Sequence, residues 1–365
     1  MAEMGDPGVG DRRRRLLGIK LKALVSEHLG VAIDDEVAAF GAGAALVHGG
    51  GAWAIVDGPA ARRLGATLAW AIRHDAESLD VIAERDGGLL ARRAQAFDLP
   101  IRVWFAEGRT LLPVVAEAPE PPAEPPGEHL ALLDMIRSAG ADPHVERGVV
   151  TGEVRGLEVC RVVDEPTTGN FAELSDLPTS ASVASDDAEL AARIARREVE
   201  GVILEVGVGA NDREAFQMLH GHLPTHEALA RVVDAVTEHR SERAPQHPLN
   251  RMAPERHLRW RVEQDPSLLS LRDLTPVDPP VDRLSMKHAE PCLATATHVD
   301  GDPVAVVFTS GVDLDLVAFV ADVAVQRSGE FERVVVVSGP ERDLVQINRD
   351  LARRLRVDVE FVALD

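Results

Sequence analysis

The chain has 365 residues, of which 60 are acidic and 39 are basic, so its formal net charge is −21. This acidity argues against general affinity for nucleic acids, which depends largely on lysine and arginine contacts to phosphate. No apolar run reaches the roughly 18–20 residues that a membrane helix requires, and the basic N-terminus lacks the apolar core of a secretory signal. We therefore expect a soluble, cytoplasmic protein with no membrane partner.

The sequence pattern of the first 116 residues predicts a basic tail, a helix and an α/β unit. Residues 1–40 contain the arginine run Arg12–Arg15, and a helix is expected from Leu16 to Leu29. Residues 41–116 are expected to begin with a hairpin at the glycines 49–51 and then to alternate helices with strands. Such alternation is typical of a mostly parallel sheet.

Two proline-rich segments are predicted to be linkers, because proline favours an extended and semi-rigid chain. The first covers residues 117–128, which contain EAPEPPAEPPG, and the second covers residues 273–300. Between them we predict a middle α/β domain over residues 129–272, with an exposed polar loop over residues 165–187. A helix of this domain is expected to begin at Asn250, whose side chain would cap it.

The last segment, residues 301–365, again reads strand, helix, strand, helix, strand. The same order occurs over residues 53–105, which suggests either a distant internal duplication or, as we favour, two copies of a very common unit. The two parts could also join in one sheet around an inserted middle domain. The predicted fold class is α/β, with mixed or mostly parallel sheets and β-α-β-α-β units at both ends that flank a middle α/β domain.

Two glutamates interrupt apolar strands of the middle domain. Glu158 lies in LEVCRVV and Glu205 lies in VILEV. A buried carboxylate is costly unless it is paired or binds a metal. On neighbouring strands the two carboxylates would meet and could hold Mg²⁺ or Mn²⁺ or act in acid–base catalysis. We favour the alternative, an internal salt bridge, because structural ion pairs are common. The candidate partners are Arg161 and the arginines of RMAPERHLRWRV, namely Arg251, Arg256, Arg259 and Arg261.

This arrangement resembles the core of the PD-(D/E)XK nucleases, the restriction-endonuclease-like fold. The resemblance covers residues 129–222 and implies a catalytic set of Glu158, Glu205 and the helical Gln217. The lysine of the E-x-K motif is replaced by Gly207, and no lysine occurs in the middle domain. The resemblance therefore implies a core whose nuclease chemistry has been lost or altered.

A turn and a helix follow the strand of Glu205, and they bring further candidate ligands. Asp212 would join Glu158 and Glu205 around a divalent cation. The histidines His220, His222 and His226 could bind zinc, but a polar loop explains them better. Asp313 and Asp315 follow a strand end, where α/β proteins commonly bind ligands, although acidic residues also suit a helix N-terminus.

The phrases LEVGVGANDREAFQMLHG, HPLNRMAPERHLRWRV and GVDLDLVAFVAD are similar to those of a conserved protein family of high-GC actinobacteria. This resemblance covers most of the chain and implies no particular activity. Because no complete catalytic set is present, we expect a protein that acts through binding or assembly, with an unknown ligand or protein partner and without nuclease activity. The alternative is a divalent-metal-dependent phosphodiesterase or nuclease that uses the paired glutamates.

Overall fold

The computed structural model of the protein describes residues 7–40, 43–164, 201–209, 212–215, 223–241, 247–281 and 290–364. The predicted loop 165–187 and Gln217 lie outside these residues. The chain divides into two compact units, and the N-terminal break, between Glu120 and Pro121, falls within the predicted first linker. Unit 1 comprises Met1–Glu120, Ser267–Thr275 and Leu293–Asp365, and unit 2 comprises Pro121–Pro266 and Pro276–Cys292. Within the described ranges, every helix is too short or too polar to cross a membrane.

The first sheet of unit 1 has six strands that lie in chain order. Its elements are α1 (Pro7–Leu29), β1 (Ala38–Phe40), β2 (Gly43–His48), β3 (Gly51–Val56), α2 (Leu64–Arg73), β4 (Ser78–Ala83), α3 (Gly87–Ala94), β5 (Ile101–Glu107) and β6 (Thr110–Pro113). Strands β2 and β3 form the predicted glycine hairpin, and β3, β4 and β5 pair in parallel. Strand β6 then turns back and pairs antiparallel with β5.

Unit 2 contains a four-stranded antiparallel sheet in the order β10-β9-β8-β7. Its elements are α4 (Gly127–Leu130), α5 (Leu133–Ser138), β7 (Asp142–Glu146), β8 (Val149–Val154), β9 (Leu157–Asp164), β10 (Val202–Val206), α6 (Thr225–His239) and α7 (Pro254–Gln264). Apolar residues of α5 and α6, among them Ile136, Leu229 and Val233, form one core with the strands.

The predicted start of α7 at Asn250 is wrong. The helix begins at Pro254, and Ala253 precedes it as N-cap. Proline is well suited to a first helical position, because its fixed φ matches the helix and its missing N–H is not needed there. The Asn250 side chain instead donates from Nδ2 to the carbonyl oxygen of His239 at 3.1 Å, so it ties the preceding loop to the end of α6.

The third sheet has five strands in chain order. Its elements are β11 (Thr275–Val277), β12 (Cys292–Thr297), β13 (Pro303–Thr309), α8 (Leu316–Gln326), β14 (Arg333–Ser338), α9 (Gln346–Ala352) and β15 (Asp358–Ala363). Strands β13, β14 and β15 pair in parallel. The valine-rich β13 and β14 are buried along almost their whole length, as expected of central parallel strands. The segment predicted as a second linker, residues 273–300, therefore contains two short strands.

Unit 1 contains one order of elements twice, as β3-α2-β4-α3-β5 in the first sheet and as β13-α8-β14-α9-β15 in the third. They are separate sheets. Two backbone hydrogen bonds join the two copies of this order, at the residues just before β5 and just before β15. The Asp98 N–H donates to the oxygen of Arg354, and the Arg356 N–H donates to the oxygen of Ala96, both at 2.8 Å. The α/β fold class is confirmed, and equivalent positions of the two halves meet in unit 1.

Candidate functional site

The two glutamates of interest lie on neighbouring strands of unit 2. Strand β10 pairs antiparallel with β9, and Glu205 lies directly across from Arg161. The Glu158 side chain near the start of β9 is 9% exposed, and the Glu205 side chain is 36% exposed. The strands are therefore adjacent, which was the condition for the two carboxylates to meet.

A guanidinium joins the two carboxylates. Arg213 donates from Nη1 to Glu158 Oε1 at 2.9 Å and from Nε to Glu205 Oε2 at 3.0 Å. Arg161 also donates to Glu158, from Nε to Oε1 and from Nη2 to Oε2, both at 3.1 Å. Each carboxylate is thus paired with arginine, and Arg161 is one of the five candidate partners that the sequence suggested for the two glutamates. The four charges form what we call the Arg213 network: Glu158, Arg161, Glu205 and Arg213.

The turn after β10 places Arg213 over the strands. Gly207 has a φ of +138°, and a Cβ on it would approach the Arg213 backbone nitrogen at 2.9 Å. The Gly207 N–H donates to the Val159 oxygen at 2.8 Å, so the turn is also tied to β9. A side chain at residue 207 would collide with the helical turn 212–215. Residue 207 is therefore a position where this turn requires glycine.

Two glycine substitutions distinguish the stability cost of this collision from the cost of backbone strain alone. Gly209 also has a positive φ, of +83°, but a Cβ there would meet no atom within 4 Å. We expect Gly209→Ala to cost about 1 kcal/mol through strain, and Gly207→Ala to cost about 2–3 kcal/mol because collision is added. Urea unfolding of both variants measures the difference. Equal costs would contradict the close-packing explanation for Gly207.

The remaining predicted ligands have other contacts or lie elsewhere. The Asp212 Oδ2 accepts a hydrogen bond from the Val208 N–H at 2.6 Å, so this carboxylate closes the turn. His226 is exposed on α6, while Gln217, His220 and His222 fall outside the described residues. In the described ranges, no group of three or more His, Cys, Asp or Glu side chains could hold a metal ion.

Two arginines of α7, Arg256 and Arg259, pair with a different carboxylate from those predicted. Glu153 on β8 is 1% exposed and accepts from Arg256 Nη1 at 2.6 Å and from Arg259 Nη2 at 2.7 Å. Arg256 also donates to both oxygens of Glu146, at 2.5 and 2.6 Å. Burial by itself would raise the pKa of Glu153, but Arg259 and Arg256 hold that pKa well below its usual range. We call Glu146, Glu153, Arg256 and Arg259 the Glu153 cluster.

The two aspartates that follow β13 form the start of α8. Asp315, at the N-cap, accepts from the Gly65 N–H at Oδ1, at 2.9 Å, and Asp313 Oδ1 accepts from the Asp315 N–H, also at 2.9 Å. Burial raises the pKa of Asp315 to about 6, and the negative charge of Asp313 adds to this effect. The Asp315 side chain therefore makes no capping hydrogen bond to α8, and it accepts instead from the first turn of α2.

Asp315 predicts a pH dependence of stability. Because its folded pKa of about 6 exceeds the unfolded value of about 3.9, its stabilising contribution is complete below the unfolded value and is lost as pH rises through 6. We expect Asp315→Asn, which keeps an acceptor for Gly65, to gain up to about 3 kcal/mol relative to wild type between pH 4 and pH 8. Urea unfolding at both pH values measures this, and parallel pH profiles for the two proteins would contradict it.

Comparison of the chain with family models, curated proteins and solved structures finds no match. Sequence reasoning identified Glu158, Arg161 and Glu205 but missed Arg213. Its only signal was an arginine in the first helical turn after a glycine corner, and that signal does not reveal which strand the side chain reaches.

Proposed function

We propose that the protein acts through binding or assembly, and that the paired glutamates of unit 2 are structural and not hydrolytic. The observation that carries this proposal is the position of Arg213, which donates to Glu158 and Glu205 at 2.9 and 3.0 Å. A divalent cation held by both carboxylates would have to displace the guanidinium or sit beside its positive charge. Either arrangement removes much of the favourable electrostatic energy of metal binding.

Two further observations support the binding proposal over a nuclease. Gly207 occupies the place of the motif lysine, and its close approach to Arg213 leaves no room for a side chain. The net charge of −21 would also repel a polyanionic substrate. A nuclease on this chain would need a different set of catalytic groups from that of the resembling core.

The test combines metal binding with turnover. The purified full chain is titrated with Mn²⁺ in a calorimeter and is incubated with single- and double-stranded DNA and RNA in the presence of Mg²⁺ or Mn²⁺. We expect no cleavage, and the same Mn²⁺ isotherm for wild type, Glu205→Ala and Glu214→Ala. Glu214 is an exposed acid in the same helical turn as Arg213, so it controls for nonspecific binding of metal to surface carboxylates.

One result would overturn the proposal in favour of the phosphodiesterase alternative. It is a metal-dependent cleavage that disappears in Glu205→Ala and persists in Glu214→Ala. A Mn²⁺ site lost only in Glu205→Ala, even without cleavage, would contradict the structural role assigned to the pair.

A further inference from the structure

We propose that the outer edge of β15, together with the arginine groove beside it, binds an extended acidic segment of a partner protein by strand addition. This inference rests on the proposed binding function and gives it a surface and a partner chemistry. The arginine groove is lined by α9 and β15 and includes Arg349, Arg353, Arg356, Val359 and Phe361.

Strand β15 is the last strand of its sheet. All its side chains are exposed or half-buried, unlike those of β13 and β14. The Leu364 N–H donates to the Ser338 oxygen at 2.8 Å, towards β14. Because backbone groups of successive strand residues point to opposite sides, Val359, Phe361 and Ala363 direct theirs away from β14. In the part of the chain that the structure describes, no strand pairs with this outer side, and such an edge is a template for another strand.

The groove beside this edge has a volume of about 480 Å³. Val359 and Phe361, two residues apart, form an apolar part of its lining, and the Arg349 guanidinium carbon lies 5.2 Å from the Phe361 ring centroid. An added strand would place alternate side chains over this apolar surface.

The charge of the groove favours an acidic partner. Three arginines and one carboxylate, that of Asp358, line it, so the groove is basic within a chain whose net charge is −21. Arg349 pairs with Glu341 at 3.1 Å. Arg353 pairs with Asp350 at 2.6 Å, and its side chain is 70% exposed. Exposed pairs of this kind contribute little to stability, so a partner carboxylate can replace the internal one at small cost. Complementary charge at such a surface selects acidic partners and speeds their association.

The first sheet of unit 1 shows how the equivalent edge is filled. There, β6 pairs antiparallel along β5. Beyond β6 the Val114 N–H donates to the Val103 oxygen of β5 at 2.8 Å, and Glu117 then reaches α3, where its Oε1 accepts from Arg92 Nη1 at 3.2 Å. A strand that is followed by a carboxylate on a helix arginine thus covers β5. By element order, β15 and α9 correspond to β5 and α3, so the same kind of segment fits there, supplied by another protein.

A labelled peptide tests the proposal on the full chain. The probe is a fluorescein-labelled heptapeptide of alternating glutamate and valine, and its binding is measured by fluorescence anisotropy. The control peptide has lysine in place of glutamate. We expect saturable binding of the acidic peptide alone, weakening as salt is raised. Val359→Pro removes an outward N–H without removing a bond to β14, and proline is tolerated at such an edge. It should weaken binding about tenfold or more.

A second variant tests the same surface without the backbone change that proline introduces. Arg353→Glu/Arg356→Glu reverses two charges of the groove and should also weaken binding about tenfold. Arg342→Glu is the matched control, because Arg342 is 85% exposed in the same unit and does not line the groove. It should bind as wild type does.

Several outcomes would overturn the proposal. They are no binding of the acidic peptide, equal binding of the lysine peptide, or affinity unchanged in both Val359→Pro and the double variant. A wild-type dimer that becomes monomeric in Val359→Pro would assign the edge to a second copy of the chain. None of these outcomes bears on the nuclease assay, which probes unit 2, so failure of this surface and failure of the proposed function are separable.

Discussion

Replacing Glu153 with alanine is expected to lower the free energy of unfolding of unit 2 by about 3–5 kcal/mol. Glu153 is the central carboxylate of the Glu153 cluster, and the two arginines that it joins, Arg256 and Arg259, are 7% and 2% exposed. Without it, Arg259 loses its 2.7 Å partner and keeps its pair with Glu263 at 3.0 Å, and Arg256 keeps its contacts to Glu146. Removing one partner of a buried charge network costs more than the network contributes, because the remaining charge stays desolvated.

Urea unfolding of the full chain measures this effect, with attention to a separate transition for each unit. Glu227→Ala is a suitable control in the same unit. Glu227 pairs with Arg231 at 2.7 Å, but both side chains are at least half exposed, so its loss should cost no more than about 0.5 kcal/mol. If Glu153→Ala were as mild as this control, the buried charges would not be stabilised by one another as the contacts indicate.

The same residue predicts an acid sensitivity. The pKa of Glu153 is lowered in the folded protein by Arg259 and Arg256 against the opposing effect of burial. A group with a depressed folded pKa contributes stability above its unfolded pKa, here about 4.3, and that contribution is lost as pH falls further. The stability of wild type should therefore fall more steeply below about pH 4 than that of Glu153→Gln. Parallel profiles in acid would show that Glu153 is not held in its charged form.

The α/β class and most elements could be predicted because their signals are local. The valine runs of β13 and β14, the hairpin glycines and the proline-rich segment near residue 120 each specify their own conformation. The partners of buried charges could not be predicted in the same way. Arg256 and Arg259 were candidates for Glu158 or Glu205, and they contact Glu153, because nothing in the sequence of a helix states which strand it will cross.

The Arg213 network is a second case in which the partner of a buried charge could not be predicted from the sequence. Both glutamates stood out because a carboxylate in an apolar strand needs compensation. The compensating group lies eight residues beyond Glu205, and it reaches the carboxylate only because Gly207 allows the chain to fold back closely. A rule based on helix or strand spacing does not find such a pair. The close turn at Gly207 and the position of Arg213 belong to the same local structure.

Arg213→Met is the second change with a large expected effect. It leaves Glu158 with Arg161 alone and removes the arginine contact of Glu205, so we expect a loss of about 2–4 kcal/mol in the free energy of unfolding. The expected loss of stability is smaller than that for Glu153→Ala because the Glu205 side chain is 36% exposed and can be partly hydrated. Urea unfolding is again the measurement, and Arg231→Met, in an exposed pair of α6, is the control.

A triple variant distinguishes a structural network from a suppressed metal site. Glu158→Gln/Glu205→Gln/Arg213→Met removes three of the four charges of the network and leaves Arg161, whose side chain is 39% exposed and can be hydrated. It should recover much of the stability that Arg213→Met loses, since no uncompensated carboxylate remains. In Arg213→Met alone the two carboxylates still converge, and only there do we expect Mn²⁺ to stabilise the fold, by about 1–3 kcal/mol at concentrations well above its dissociation constant. Wild type, whose guanidinium already holds that place, should not respond. Equal stabilisation of wild type by Mn²⁺ would mean that Arg213 does not exclude the cation, and it would restore the phosphodiesterase alternative.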